Sequence, residues 1–330
     1  MTRNRTDSRE VLLQCLVVNT MDAQAQERAK RATWKTLLAF GIIYFVWGST
    51  FLAIRIGVQE VPPFLLAALR FFVAGLVLYL WMIAKGQRSP TLREWRSVVI
   101  LAALFFALDY GLLFWSEQRI PSGLAAVMLA TIPAFMALSE IFFLRTQKLT
   151  VRLAVALLIG LAGVAVLVSR TLKLGGAPID RAGALALIVG AITWSIGSAL
   201  ARKLRLPESK VMSSGAQMLA GGLLLGVVAA ALGEFRNFHP AAVSSGAWIA
   251  LLYLIVAGSI IGFTAYVWLI HHESPTRVGT YAYVNPVVAV LLGYFFAGEA
   301  LGTRTIVGTL CVLVSVIVIT TTRDKKAAHA

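Results

Sequence analysis

Cysteine, histidine and charged residues are scarce in this chain. Of its 330 residues, 14% are charged, 2 are cysteines and 4 are histidines. Cys15 lies in a polar stretch and Cys311 deep in an apolar run, so we expect no disulfide. His271 and His272 are adjacent but have no third ligand beside them in the sequence, so we expect no metal site.

Motifs of the common enzyme classes are also missing. The sequence has no Walker loop, no H-E-x-x-H helix and no G-x-S-x-G elbow. Its apolar runs place no nucleophile beside a base, which disfavours an intramembrane enzyme. We therefore expect no catalytic residues and no cofactor, and any use of ATP would need a separate subunit.

Long apolar runs dominate what is present. The chain is 58% hydrophobic with a mean hydropathy of +0.80, far from the balance of a soluble domain. A membrane-crossing helix needs about 20 mostly apolar residues. The runs that qualify are 36–56, 64–84, 98–116, 123–144, 151–168, 182–201, 212–232, 247–270, 278–297 and 305–321. They predict an all-α polytopic membrane protein with ten transmembrane helices in a lipid bilayer.

The net charge of +15 could indicate a nucleic-acid partner, but the positions of the basic residues argue against one. With the N-terminus inside the cell, most Lys and Arg fall in the tails and cytoplasmic loops. The outer loops then hold only Arg119, Arg170, Lys173, Arg181, Arg236 and Arg304. Because cytoplasmic loops retain basic residues, we expect both termini in the cytoplasm and no nucleic-acid partner.

Two stretches of the chain resemble each other. Arg55 follows Trp47 at the same spacing at which Arg202 follows Trp194. Each copy holds five apolar runs, and an odd number places the copies in opposite orientations, as in many secondary transporters. The predicted organisation is a disordered cytoplasmic tail at 1–35, a first repeat at 36–168, a linker at 169–181, a second inverted repeat at 182–321 and a cytoplasmic tail at 322–330.

Each copy also has a proline within an apolar run, Pro133 in the first and Pro286 in the second. A proline inside a helix donates no backbone hydrogen bond, so it leaves a carbonyl that must face protein, water or solute. Asn285 and Tyr281 lie one turn apart beside Pro286. These residues are candidates for the wall of a substrate cavity, although either proline alone could serve packing.

Deeply placed tryptophans and hydroxyls are further cavity candidates. On helical spacing Trp47 shares a face with Thr50, and Trp194 shares one with Ser198. Indole offers a flat apolar face and one N–H, which suits uncharged or zwitterionic solutes. Tyr110 lies toward the outer mouth of the third run. Lipid contact or packing is the alternative for each aromatic residue.

Two charges fall inside predicted spans at matching depth, Arg70 in the second and Asp109 in the third. Charges in hydrocarbon are costly and usually have a partner. We therefore predict an Arg70–Asp109 pair, which is either purely structural or has a role in coupling or gating.

Several motifs resemble those of the EamA-type permeases of the drug/metabolite transporter superfamily. They are Trp47-Gly48-Ser49-Thr50-Phe51, Arg55-Ile56-Gly57, Pro62-Pro63, Arg70-Phe71, Pro121-Ser122-Gly123-Leu124-Ala125-Ala126 and Tyr281-Ala282-Tyr283-Val284-Asn285-Pro286-Val287. The resemblance implies ten helices in two inverted repeats and a cavity shaped by Trp47, Pro133, Trp194, Tyr281, Asn285 and Pro286. One departure is Thr146, where the family has a glutamate, while its counterpart Glu299 is present.

Together these features lead us to expect a secondary transporter. It would export small organic solutes, such as amino acids, metabolites or drugs, across the plasma membrane, the inner membrane of bacteria, by alternating access. Proton coupling, and a monomeric or homodimeric state, are left open by the sequence. An intramembrane enzyme and a channel-like facilitator are the alternatives.

Overall fold

The computed structural model describes residues 33–120, 125, 128–168, 180–236, 238–297 and 303–321. Residues 1–32 and 322–330 of the predicted tails, most of the predicted linker, most of the Pro121 motif, Cys15 and Glu299 lie outside the described residues. The first helix begins at Thr33, within the predicted N-terminal tail. Cys311 is a free thiol.

The regular structure of the described residues is helical, with ten helices, five on each side of the predicted linker. In chain order they are α1 Thr33–Val58, α2 Pro63–Ala84, α3 Leu92–Glu117, α4 Ile132–Leu144, α5 Val151–Val168, α6 Arg181–Ala201, α7 Lys210–Ala231, α8 Ser245–His272, α9 Pro275–Gly279 with Tyr281–Ala297, and α10 Thr303–Thr321. The helices α1, α2, α3, α6, α7 and α8 are long and apolar enough to cross a membrane. The predicted all-α polytopic fold is confirmed.

The helix α3 begins at Leu92, well before the apolar run predicted from residue 98. Thr91 caps the helix: its hydroxyl accepts from the Glu94 N–H, and the Glu94 carboxylate accepts from the Thr91 N–H at 2.7 Å. This reciprocal pairing satisfies two otherwise unpaired donors. A polar first turn can therefore extend the helix beyond its apolar part, which hydropathy alone does not predict.

The third helix of each half contains a wide π-helical segment. In α3 it covers Ala103–Tyr110 and in α8 it covers Leu254–Phe263. A π segment rotates the residues after it relative to an ideal α-helix and often occurs at a functional site. Side-chain directions in these two helices therefore depart from those that a spacing of 3.6 residues predicts.

The helices α2 and α7 cross with their backbones in close contact. An added Cβ at Gly75 would lie 2.2 Å from the Leu219 backbone nitrogen, and one at Gly222 would lie 2.3 Å from the Phe72 backbone nitrogen. Only glycine permits this approach, which is typical of helix packing in membranes. The contact joins the second helix of one half to the second helix of the other.

Large apolar side chains cover the outside of the bundle. Phe45, Leu52, Leu158 and Val227 are each about two thirds exposed. In water such a surface would be unfavourable, but lipid tails solvate it. Several polar and charged side chains are instead buried inside the bundle, where the candidate site lies.

Candidate functional site

A small cavity lies where α1, α3, α4, α6 and α9 meet. Its volume is about 50 Å³. This space has room for a few water molecules, whereas pockets that bind organic ligands usually measure about 300–1,000 Å³. In this conformation the cavity is therefore too small for an organic solute. Of the predicted site residues, those that line the cavity are Trp47, Thr50, Tyr110, Trp194, Tyr281, Asn285 and Pro286.

Aromatic rings form the cavity wall. The Trp47 ring centre lies 5.6 Å from that of Trp194 and 4.8 Å from that of Tyr281, and the Trp194 ring centre lies 5.7 Å from that of Tyr110. Tyr266 packs against both indoles from behind, at 5.2 and 4.8 Å. The edge-on arrangements match the preference of aromatic quadrupoles. The wall is thus a continuous aromatic cluster contributed by both halves of the chain.

The two indoles differ in their hydrogen bonding. Trp47 Nε1 donates to the Gly258 carbonyl, in the π segment of α8, at 3.0 Å. Trp194 Nε1 is buried and has no acceptor among the described residues. A buried unpaired donor is costly unless something else uses it. The Trp194 ring lines the cavity while its N–H is buried behind the ring, whereas the Trp47 N–H is hydrogen-bonded to α8.

The two predicted hydroxyl residues are already bonded. The Thr50 hydroxyl donates to the Trp47 carbonyl at 2.8 Å. The Ser198 hydroxyl donates to the Trp194 carbonyl at 2.6 Å and also hydrogen-bonds the Tyr266 hydroxyl. Ser198 is absent from the cavity lining. The prediction that Ser198 lines the cavity is therefore corrected. Ser198 contacts the wall indirectly, by positioning Tyr266 behind the indoles.

Asn285 joins α9 to α1 at the cavity. With its amide nitrogen oriented to satisfy its neighbours, it donates to the Tyr281 carbonyl at 3.0 Å and to the Tyr44 carbonyl at 3.3 Å. The Tyr44 hydroxyl in turn bonds the Thr280 hydroxyl at 2.7 Å. Asn285 is 4% exposed. Its predicted place at the cavity wall thus combines with a bridging role between helices.

Both prolines follow helix interruptions, but only Pro286 lies inside a helix as the sequence predicts. In α4 the interruption ends at Thr131, and Pro133 lies in the first turn of the next helical segment, where no N–H is needed. In α9 the interruption lies at Thr280, and Pro286 sits inside the helix that follows. The Thr131 and Thr280 hydroxyls each donate to the carbonyl three residues earlier at 2.6 Å. Pro133 does not line the cavity.

The predicted ion pair is not formed. Arg70 Nε donates to the Ser259 hydroxyl at 2.8 Å, and the guanidinium lies over the Tyr110 ring at 5.1 Å. No arginine nitrogen of Arg70 lies within 4.0 Å of a carboxylate oxygen of any described residue. The prediction was wrong because equal depth does not fix direction around a helix. Arg70 faces α8, whereas Asp109 lies beside Gly190 of α6.

Asp109 instead lines the cavity, a position that the sequence analysis missed. The π segment of α3 ends at Tyr110 and alters the directions of the residues around it, so helical spacing gave no signal. Phe51 and Ile54 share the helical face of Trp47 and could have been predicted. The remaining apolar lining residues, which carry no sequence signal, are Leu113, Leu129, Ile132 and Ala282.

Metal binding finds no support in the described part of the chain. No three His, Cys, Asp or Glu side chains there come together as metal ligands. The chemistry that the site can perform is therefore recognition, through aromatic rings and one carboxylate around a small cavity.

Comparison with known families gives a match over both halves. The profile of the EamA-like transporter family matches residues 33–169 and 181–321. Each match covers five of the helices described above. The two copies that the sequence analysis recognised are thus two copies of one family unit.

Individual relatives include a bacterial inner membrane transporter. One relative is the uncharacterized inner membrane transporter YedA of Escherichia coli K12, which is 39% identical over 261 aligned residues. The alignment covers 78% of this chain and 82% of YedA. The chain is 26% identical over 83% of its length to 88% of the protein PecM of Dickeya dadantii. One solved crystal structure, 22% identical, matches 87% of this chain and 97% of its own with a TM-score of 0.70, which supports the fold.

Proposed function

Because the chain belongs to the EamA-like transporter family, a family of transporters and not of enzymes, we propose that it exports small organic solutes across the bacterial inner membrane by alternating access. Its fold is two inverted repeats of five helices. The solute site is the closed cavity between them, and amino acids, metabolites and drugs are the solute classes that the family resemblance favours.

The observation that carries this proposal is the composition of the cavity wall. Trp47 and Tyr110 come from the first repeat, and Trp194, Tyr281 and Asn285 come from the second. A solute bound there would contact both repeats at once. Rocking of one repeat against the other would then expose it to either side of the membrane, as in other inverted-repeat transporters.

A pair of arginine contacts supports the alternating movement. Arg55 of α1 donates to the Glu117 carbonyl at the end of α3. Arg202 of α6 donates to the Ile270 and Glu273 carbonyls at the end of α8, at 3.1 and 2.5 Å. In both repeats the first helix thus binds the free carbonyls at the end of the third. Inverted repeats place these contacts at opposite membrane faces, where each would hold one side closed.

Transport by this chain can be tested without knowing the solute in advance. A strain that lacks the gene is compared with strains that carry wild-type protein or Asn285→Ala, and intracellular metabolites are measured. We expect a solute that accumulates without the protein and with the variant, but not with the wild type. Efflux of that solute from proteoliposomes should saturate with concentration. Uptake in place of efflux, or flux that never saturates, would contradict an exporter or a carrier.

Membrane orientation needs a separate test. The scarcity of basic residues in the proposed outer loops predicts that both termini are cytoplasmic. Alkaline phosphatase, which folds only in the periplasm, is fused after Ala330. We expect no phosphatase activity, and activity from a fusion in the α7–α8 loop after Gly233 serves as the positive control. The reverse pattern would overturn the orientation.

A further inference from the structure

Among the described residues, one ionisable carboxylate and no cationic side chain line the cavity. Asp109 is the single Asp, Glu, Lys, Arg or His among the described lining residues. Its side chain is largely buried, with the residue 6% exposed. An isolated carboxylate in a low-dielectric interior favours a positively charged partner. The cavity therefore carries a charge preference that the aromatic residues alone would not give.

The carboxylate of Asp109 has no partner among the described residues. The hydrogen bonds and ion pairs of the described chain do not include its oxygens. Gly190 of α6 makes space for it, since an added Cβ there would lie 3.0 Å from Asp109 Oδ1. Asp109 is thus held between α3 and α6, with no described hydrogen-bond partner for its carboxylate and with the residue lining the cavity.

The neighbouring positive charge is directed elsewhere. Arg70 does not line the cavity. Its Nε bonds Ser259, and its guanidinium carbon lies 4.6 Å from the Phe71 ring centre and 5.1 Å from that of Tyr110. The other nearby arginine, Arg55, donates to a backbone carbonyl at the end of α3. Neither cation occupies the place beside Asp109 in this conformation.

Aromatic faces complete the recognition chemistry. Trp47, Tyr110, Trp194 and Tyr281 surround the space that Asp109 faces. The negative face of an aromatic ring attracts a cation, and tryptophan does so most strongly. A carboxylate within an aromatic cage is an arrangement suited to an ammonium group attached to an apolar body. The same arrangement repels a carboxylate or phosphate.

We infer that the cavity selects a small monovalent organic cation, with its ammonium group at Asp109 and its body against the aromatic rings. This inference rests on the proposed transport function and specifies the substrate class of the same site. The closed volume of about 50 Å³ matches the ammonium head alone, so the body would be accommodated as the repeats separate.

A matched set of ligands tests the charge preference. Binding of benzylamine, benzyl alcohol and benzoate to the purified protein is measured by calorimetry; the three have similar size and differ in charge. We expect wild-type protein to bind benzylamine at least about tenfold more tightly than the other two, in line with hydrogen bonds to charged groups. Asp109→Asn should remove that preference, and Asp109→Glu should retain it.

Controls separate this inference from the transport proposal. Glu208→Gln removes an exposed carboxylate outside the site and should leave the preference unchanged. Equal binding of the three ligands by wild-type protein, or an undiminished preference in Asp109→Asn, would overturn the inference. So would absence of benzylamine binding. Saturable efflux of the solute found by metabolite profiling would then still support transport, whereas loss of that efflux would count against the proposed function itself.

Discussion

Arg70 of the first repeat follows Trp47 at the spacing at which Gln217 of the second follows Trp194. Both side chains are buried, yet one is a cation and the other a neutral amide. The difference extends to the whole interior. The buried charged residues of the described chain, Arg70, Glu94, Asp109, Glu117 and Glu140, all lie in the first repeat, and the buried polar residues of the second repeat are uncharged.

The uneven distribution of buried charges affects how the two repeats contact each other. Buried charges of the first repeat meet neutral hydroxyls of the second: Arg70 donates to Ser259, and the Glu140 carboxylate accepts from Thr276. Separating a charge from a hydroxyl costs less than separating two buried opposite charges, because only one ion has to be resolvated. For the rocking of the repeats that we propose, such contacts are therefore less costly to break than buried ion pairs.

Changes at the glycine contacts between α2 and α7 should cause the largest loss of stability, because the added methyl groups would meet backbone atoms. The two repeats are alike here, since each contributes one such glycine. Gly75→Ala and Gly222→Ala each place a methyl within 2.2 to 2.3 Å of a backbone nitrogen of the other helix. Overpacking typically costs about 1–3 kcal/mol, and backbone atoms cannot rotate away. We expect both variants to lose melting temperature and yield of folded protein by similar amounts.

Gly226 provides the matched control on the same helix. An added Cβ there would meet nothing within 4 Å, and alanine favours a helix over glycine. Gly226→Ala should therefore match or exceed the wild-type melting temperature. A loss equal to that of Gly222→Ala would mean that glycine in α7 serves a purpose other than close packing.

Two serines sharpen the charge comparison. Ser259→Ala leaves Arg70 Nε without its acceptor, and Ser213→Ala removes the hydroxyl that accepts from Gln217 Nε2 at 2.9 Å. Hydrogen bonds to charged groups contribute about 1.5–3 kcal/mol and neutral ones about 0.5–1.5 kcal/mol. Thermal unfolding in detergent should thus rank Ser259→Ala as the more harmful. Equal losses would show that the charge of Arg70 is satisfied by the aromatic rings alone.

The equivalent tryptophans should separate stability from transport. Trp47→Phe leaves the Gly258 carbonyl without its donor, so we expect a loss of stability of about 1–3 kcal/mol. Trp194→Phe leaves no such group, because its N–H has no described acceptor. That variant should unfold near the wild-type temperature but transport less per inserted protein. Normal flux in Trp194→Phe would place the solute away from this indole.

The number of helices and their fold class could be predicted from the sequence, and half of the residues that line the cavity were among those it singled out. Apolar length is enough for the spans, and the matching Trp47 and Trp194 motifs are visible without a structure. Directions around a helix were not predictable where the backbone departs from regular spacing. The π segment of α3 hides the cavity position of Asp109, and the break before Pro133 turns an apparent helix-breaking proline into a helix-starting one.

The start of the third helix gives the last contrast between the repeats. In the first repeat Thr91 is capped locally by Glu94, three residues on. In the second repeat, the carboxylate that binds Ser244 comes from the α1–α2 loop of the other repeat. Glu60 accepts from the Ser244 N–H at 2.6 Å and from its hydroxyl at 2.7 Å. Glu60 is exposed, so this contact should have the smallest effect of those considered.

Its pH dependence has a defined sign. The two hydrogen bonds from Ser244 hold the pKa of Glu60 below its ordinary value of 4.5, because they favour the charged carboxylate. The stabilisation is then complete above pH 4.5 and is lost as the pH falls through the lower folded-state pKa. Melting curves of wild type and Glu60→Gln should differ slightly at pH 7 and converge in acid, while Glu208→Gln, also exposed, should follow the wild type throughout. A difference that persists unchanged into acid would mean that the Glu60 carboxylate contributes through its shape and not through its charge.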